Sequence, residues 1–149
     1  MLKKTLLIAI SSMLLACATT RALTPYQQSQ LDKIIYQSTT VSVPNEKFQE
    51  AWGRAQSFLA RYSNMKMQTV TDYVIDTYNP LKNSGGVKNM FVAYGYSVSR
   101  TPSVSGTTLI SVKCVSNNMF ANEYAKRKAQ ILAYYIETGE LIDDSLIEY

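Results

Sequence analysis

The feature that most constrains the fold of this chain is a run of four strand-like segments within residues 67–116, with no helical pattern among them. The first two segments, residues 67–71 and 73–78, are rich in Val, Ile, Thr and Tyr. The other two, residues 90–99 and 107–116, alternate large apolar side chains with small or polar ones. Because strands joined by short connections pair antiparallel, the sequence predicts an antiparallel sheet.

Two amphipathic helices flank these segments. The first is predicted over residues 45–61. Its apolar stripe, which continues to the next residue, recurs at spacings of four and three: Phe48, Trp52, Ala55, Leu59 and Tyr62. Asn45 is the expected N-cap of this helix. A second helix is predicted over residues 118–138, and Gly139 suits its C-terminal end.

A short strand is expected over residues 39–43, directly before Pro44. The element order is then β-α-β-β-β-β-α. We therefore predict an α+β fold in which two amphipathic helices cover an antiparallel sheet of about five strands, giving two layers. The chain has 149 residues, which is enough for one domain.

The N-terminus has the three zones of a signal peptide. Lys3 and Lys4 provide a positive start, and residues 6–15 are apolar except for two serines. This apolar stretch is too short to span a bilayer, which requires about 20 residues. Ala16 then precedes Cys17.

Leu14, Ala16 and Cys17 resemble the lipobox of bacterial lipoproteins, with Leu15 at a permissive position. The resemblance covers only residues 1–17. It implies cleavage after Ala16 and a diacylglyceryl group on the Cys17 thiol. Since residue 18 is Ala and not Asp, it also implies transport to the outer membrane if the source is Gram-negative.

The predicted domain organisation follows from this anchor. Residues 1–16 are the signal peptide, and residues 17–38 form the lipidated N-terminus, a tether and a short helix that Thr24 caps and Pro25 begins. Residues 39–149 form a single α+β domain that ends in an acidic tail. By element order alone, the mature domain looks like the helix-grip outer-membrane assembly lipoproteins.

Several chemistries find little support in the sequence. The chain has no histidine and only two cysteines, so it lacks the usual general base, a Cys–His pair and a structural zinc site. Cys114 shares an apolar strand face with Ile110 and Val112, which favours a buried, unpaired thiol. We expect no cofactor, no metal site and no catalytic residue.

The charge pattern is also modest. The formal net charge of +4 falls to +2 when Lys3 and Lys4 leave with the signal peptide, which is too little to suggest a nucleic-acid partner. The basic run Lys126–Lys128 is interpreted as a solvated helix face, and the acidic residues after Ala129 as a solvated tail.

A contact surface is predicted on the loop of residues 79–89 and the strand that follows it. Lys82 and Lys88 give this loop positive charge, and Tyr94 and Tyr96 share one strand face. Together with Tyr78, these tyrosines form either a core layer under a helix or an open binding platform. The outcome depends on which face of the sheet the helices cover.

These observations favour a membrane-anchored envelope lipoprotein that binds an envelope protein or peptidoglycan without catalysis. Two alternatives stay open: an envelope hydrolase or transferase with an unrecognised site, and a carrier that holds a lipid-like ligand between helix and sheet.

Overall fold

A computed structural model describes residues 23–80, 92–103 and 105–148 of the chain. The described elements are, in chain order, α1 (Pro25–Ile34), β1 (Thr40–Pro44), α2 (Phe48–Tyr62), β2 (Met67–Val70), β3 (Val74–Thr77), β4 (Tyr94–Pro102), β5 (Thr107–Ser116), α3 (Asn122–Thr138) and α4 (Asp144–Glu148). Within these residues, none of the helices is both long enough and apolar enough to cross a bilayer.

The five strands form one antiparallel sheet in the order β1-β5-β4-β3-β2. Strands β2 to β5 follow one another across the sheet, and each pair is antiparallel, as the sequence predicts. The chain enters at one edge with β1, and α2 then carries it to the opposite edge, where β2 begins. The predicted α+β fold is confirmed.

Helix α2 forms because its apolar stripe matches the helical repeat. Phe48, Trp52, Ala55 and Leu59 are all buried against the sheet, while Tyr62 is half-buried. The predicted N-cap, Asn45, is wrong. A 3-10 turn over Asn45–Lys47 precedes α2, and the Asn45 side chain instead accepts a hydrogen bond of 2.8 Å from the Thr108 hydroxyl.

Helix α3 also begins after a 3-10 turn, Met119–Ala121, which the Asn118 side chain caps by accepting from the Phe120 N–H at 2.9 Å. It ends at Gly139, whose φ of +77° is the left-handed conformation that glycine adopts most readily. The predicted role of Gly139 at the C-terminal end of this helix is confirmed. Tyr124, near the start of α3, is 44% exposed.

One core lies between the sheet and the two long helices. Its largest fully buried side chains come from α2 (Phe58, Leu59), from the strands (Ile75, Val98, Ile110) and from α3 (Ile131, Leu132, Ile136). Side chains from the sheet and from both helices meet in this one core.

Both ends of the described chain pack onto this body. Helix α1 begins with a full capping box, in which the Thr24 hydroxyl and the Gln27 side chain each accept from the other residue's backbone N–H. Its Ile34 is fully buried. The short helix that the sequence assigned to the N-terminal tether is thus part of the domain.

The expected acidic tail is not a solvated extension over residues 142–147. Ile142, Leu146 and Ile147 are buried in the main core. The Asp144 carboxylate meets Arg61 at 3.0 Å and the Tyr62 hydroxyl at 2.7 Å, both at the end of α2. The segment therefore packs on the core through its apolar residues. The many acidic residues around them had suggested a solvated tail.

Candidate functional site

The helices cover only one face of the sheet. Val41, Ile75, Val98, Ile110 and Val112 point toward α2 and α3 and are buried. Because side chains alternate along a strand, the intervening residues point to the opposite face. No described helix packs on that face, which we call the open face.

A row of three polar residues crosses the open face at one height. Asp76 of β3 lies opposite Ser97 of β4, and Ser97 lies opposite Lys113 of β5. Adjacent strands are about 4.8 Å apart, so the backbones of Asp76 and Lys113 are separated by about 10 Å. The strand register thus brings together a carboxylate, a hydroxyl and an amine that are distant in sequence.

These residues border a cleft of about 260 Å³, together with Gln68, Asn79 and Val115. Asp76 is half-buried, and its Oδ1 atom is shielded from solvent and accepts no hydrogen bond. Lys113 is exposed. Of the three ion pairs within the described ranges, none uses Asp76 or Lys113.

The unpaired Asp76 oxygen is the most informative atom in this cleft. A buried acceptor left without a donor costs about 1–3 kcal/mol, so native proteins rarely retain one. A donor group supplied by a bound partner would remove that cost. With Lys113 as a cation across the cleft, the row suits a partner that carries both an amine or amide donor and a carboxylate.

Pro80 lies directly over Gly95, which borders the cleft. A Cβ atom built on Gly95 would come within 2.5 Å of the Pro80 Cδ atom and within 2.9 Å of the Tyr78 carbonyl oxygen. Only glycine permits this close approach. The segment after β3 is therefore held against the open face at the point where the predicted contact loop begins.

Several predicted site residues lie outside the described residues: Ala16, Cys17, Lys82 and Lys88. Tyr94 and Tyr96 do share one face, as predicted, and it is the face that the helices cover. Tyr96 is only 4% exposed, and Tyr94 is half-buried against the core. Tyr78 is exposed, so the three tyrosines form no open platform, and Tyr96 belongs to the core.

Cys114 lies beside Tyr96 beneath α3. It is half-buried, unpaired within the described chain, and directly opposite Tyr96 in the strand register. Burial raises the pKa of this thiol to about 12, although nearby Lys128 and a hydrogen bond with Tyr96 act in the opposite direction. This shift favours the protonated thiol at neutral pH, whereas a nucleophilic cysteine reacts as the thiolate.

The expectation that Lys126–Lys128 is a solvated face is wrong at Lys128, which is 8% exposed. Its ammonium group donates to the Ile147 carbonyl of α4 and lies 4.8 Å from the centre of the Tyr94 ring. The buried charge is thereby satisfied by an oxygen at a helix C-terminus and by the face of an aromatic ring. Lys128 joins α3 to α4.

The described residues contain no group of three or more Asp, Glu, Cys or His side chains placed to hold a metal ion. Ser97 and Lys113 are neighbours, but a nucleophile needs hydrogen-bond contact with its base. No hydrogen bond joins the two side chains among the contacts of the described chain.

Sequence reasoning missed the Asp76 row, because Asp76 has the pattern of an ordinary surface residue. The signal that could have revealed it is the alternation itself. If Ile75 and Val98 face the core, then Asp76 and Ser97 must both face the other way. The order of the strands, however, could not be read from this alternation.

Comparison of the chain with protein-family models, with curated proteins and with solved structures finds no match.

Proposed function

We propose that this chain is a bacterial envelope lipoprotein, anchored through Cys17, that binds a peptide-like partner on its open sheet face without catalysing a reaction. The partner class includes segments of envelope proteins and the stem peptides of peptidoglycan. Both carry amide donors together with carboxylates.

The lipobox at Leu14–Cys17 supports the anchor. Two or three acyl chains hold a protein at a membrane far more firmly than a single chain does. The outer-membrane location remains an expectation that depends on a Gram-negative source and on Ala18.

The observation that carries the binding role is the unpaired, shielded Oδ1 atom of Asp76 in a cleft that also presents Lys113. Hydrogen bonds to a charged group contribute about 1.5–3 kcal/mol each, so a single donor placed at Asp76 would add measurably to affinity. An acidic group on the same partner would lie near Lys113.

The test uses crosslinking in intact envelopes followed by purification of the lipoprotein and its partners. Asp76→Asn and Lys113→Gln each remove one charge from the cleft. Asp72→Asn and Lys47→Gln are matched controls, since both residues are exposed and lie away from the cleft. We expect the first pair to lose the crosslinked species and the second pair to retain them.

Crosslinked proteins indicate a protein partner, whereas retention on purified cell-wall sacculi indicates peptidoglycan. Unchanged crosslinking by both cleft variants would show that the partner binds elsewhere. If Asp76→Asn alters stability but not binding, the Asp76 carboxylate has a structural role and the proposed surface is wrong.

The anchor has its own test. Cys17→Ser should abolish incorporation of labelled fatty acid and leave the precursor uncleaved. Survival of the label in the Cys17→Ser chain would refute the lipoprotein assignment without bearing on the cleft.

A further inference from the structure

The N-terminal end of α3 exposes apolar side chains that no part of the described chain covers. Phe120 is 86% exposed and Met119 is 76% exposed, and Tyr124 one turn later is 44% exposed. Two neighbouring, almost fully solvated residues of this size are costly to leave in water, because burying such a side chain contributes about 1.5–3 kcal/mol. Their exposure indicates a surface that is covered in the functional state.

Basic residues flank this apolar end. Tyr124 and Arg127 are three residues apart and therefore share one side of α3, and Phe120 lies in the 3-10 turn directly before this helix. Lys126 and Arg127 are both exposed. Glu123 is also exposed and is the one acidic residue among residues 119–127, so this end keeps a net positive charge.

The same end lies next to the point where the described chain begins. Leu23 borders a cleft of about 230 Å³ together with Tyr124 and Arg127. Cys17 is six residues before Leu23. A fully extended chain of that length spans about 20 Å, so a lipid on Cys17 would keep the end of α3 close to the bilayer.

We propose that the N-terminal end of α3 docks on the membrane that holds the lipid, with Met119 and Phe120 inserted at the headgroup level and Lys126 and Arg127 directed to anionic headgroups. This inference rests on the proposed anchoring through Cys17. Apolar and aromatic residues next to basic ones bind bilayer interfaces in this way. The lipid supplies attachment, and the docking surface fixes the orientation of the domain.

The orientation has a geometric consequence. Ser116 of β5 lies near the docking surface, whereas the hairpin turn at Ser105 and Gly106 lies at the opposite end of the same strand. Ten residues of β-strand span roughly 30 Å. Ser105 should therefore stand well clear of the bilayer while Asn122 lies at it.

The experiment uses the full lipidated protein, reconstituted in vesicles of phosphatidylethanolamine and phosphatidylglycerol. In a Cys114→Ala background, Asn122→Cys or Ser105→Cys receives a polarity-sensitive fluorophore, and lipids carrying a quencher in the acyl region report depth. Both positions are exposed, so each label is tolerated. Mass spectrometry first establishes that Cys17 carries lipid.

We expect several-fold stronger quenching at Asn122 than at Ser105. The double variant Met119→Ser, Phe120→Ser should reduce quenching at Asn122 to the level of Ser105, and its circular dichroism should be unchanged because neither side chain contributes to the core. Lys126→Glu should weaken quenching only when anionic lipid is present.

Equal quenching at the two positions in lipidated protein would overturn the docking surface and leave the anchor intact. Absence of lipid on Cys17 would instead refute the proposed lipoprotein. If lipid quenching at Asn122 decreases as more protein is reconstituted per vesicle, a second copy of the chain covers this end, and the membrane proposal is wrong.

Discussion

Replacing Ile147 by alanine should lower the free energy of unfolding by far more than the position of this residue near the end of the chain suggests. Ile147 is 2% exposed and belongs to the main core. Truncating a buried isoleucine costs about 2–5 kcal/mol, because the lost burial is joined by the cavity left behind. Stabilities of small domains are about 5–15 kcal/mol, so this single change removes a large share.

The matched control is Leu141→Ala. Leu141 lies six residues earlier and is 37% exposed. A partly solvated leucine at the surface should cost well under half as much, and surface substitutions are usually within about 0.5 kcal/mol. Both variants keep the charge of the segment, so any difference between them reports packing alone.

Urea unfolding followed by Trp52 fluorescence and by circular dichroism measures the effect. With a urea slope of about 2 kcal/mol per molar, a loss of 3 kcal/mol shifts the midpoint by about 1.5 M. Similar urea midpoints for Ile147→Ala and Leu141→Ala would refute the packing of the C-terminal helix against the core and would support a solvated tail.

The remaining predictions concern the sheet and its thiol. Gly95→Ala should destabilise by about 1–3 kcal/mol, since its Cβ would meet Pro80, and an unchanged thermal midpoint would contradict that contact. Native Cys114 should react slowly with thiol reagents at pH 8 and quickly once urea unfolds the chain. Because the pKa of this thiol rises from 9.0 to about 12 on folding, the unfolded state releases its proton first, and stability should fall as pH rises from 9 toward 12. Cys114→Ala should flatten that part of the stability profile, and a profile identical to wild type would argue against a desolvated thiol. Arg61→Ala should cost less than about 1 kcal/mol, since its ion pair with Asp144 is exposed, and a larger loss would indicate a network.

Periodicity in the sequence predicted most of the secondary structure. The apolar stripe of α2, the alternation of β5 and the glycine at the end of α3 are local signals, and the structure has these elements where the sequence predicts them. Strand β5 matches its predicted bounds in full. The first residues of the two long helices differ, because 3-10 turns precede both, and Asn45 bonds to a residue that is distant in sequence.

The residues of the candidate site are brought together only by the tertiary structure. Alternation places Asp76, Ser97 and Lys113 off the core, but only the strand order β5-β4-β3 puts them in one row. The burial of Tyr96 has the same origin, since the side of the sheet that α2 and α3 occupy decides it. The sequence left that choice open between core and platform.

The lipobox is a local signal that the sequence supplies by itself, and it is the basis of the proposed anchor. The absence of histidine likewise excludes a histidine base, because composition can be read without knowing the fold. The roles of Lys128 and of the C-terminal segment could not be predicted from local sequence or from composition. Both were interpreted as solvated because charge runs usually are, whereas an adjacent helix supplies the carbonyl oxygen for Lys128, and the core accepts Ile142, Leu146 and Ile147. Local sequence determines which residues can be buried, and contacts between distant segments decide which of them are.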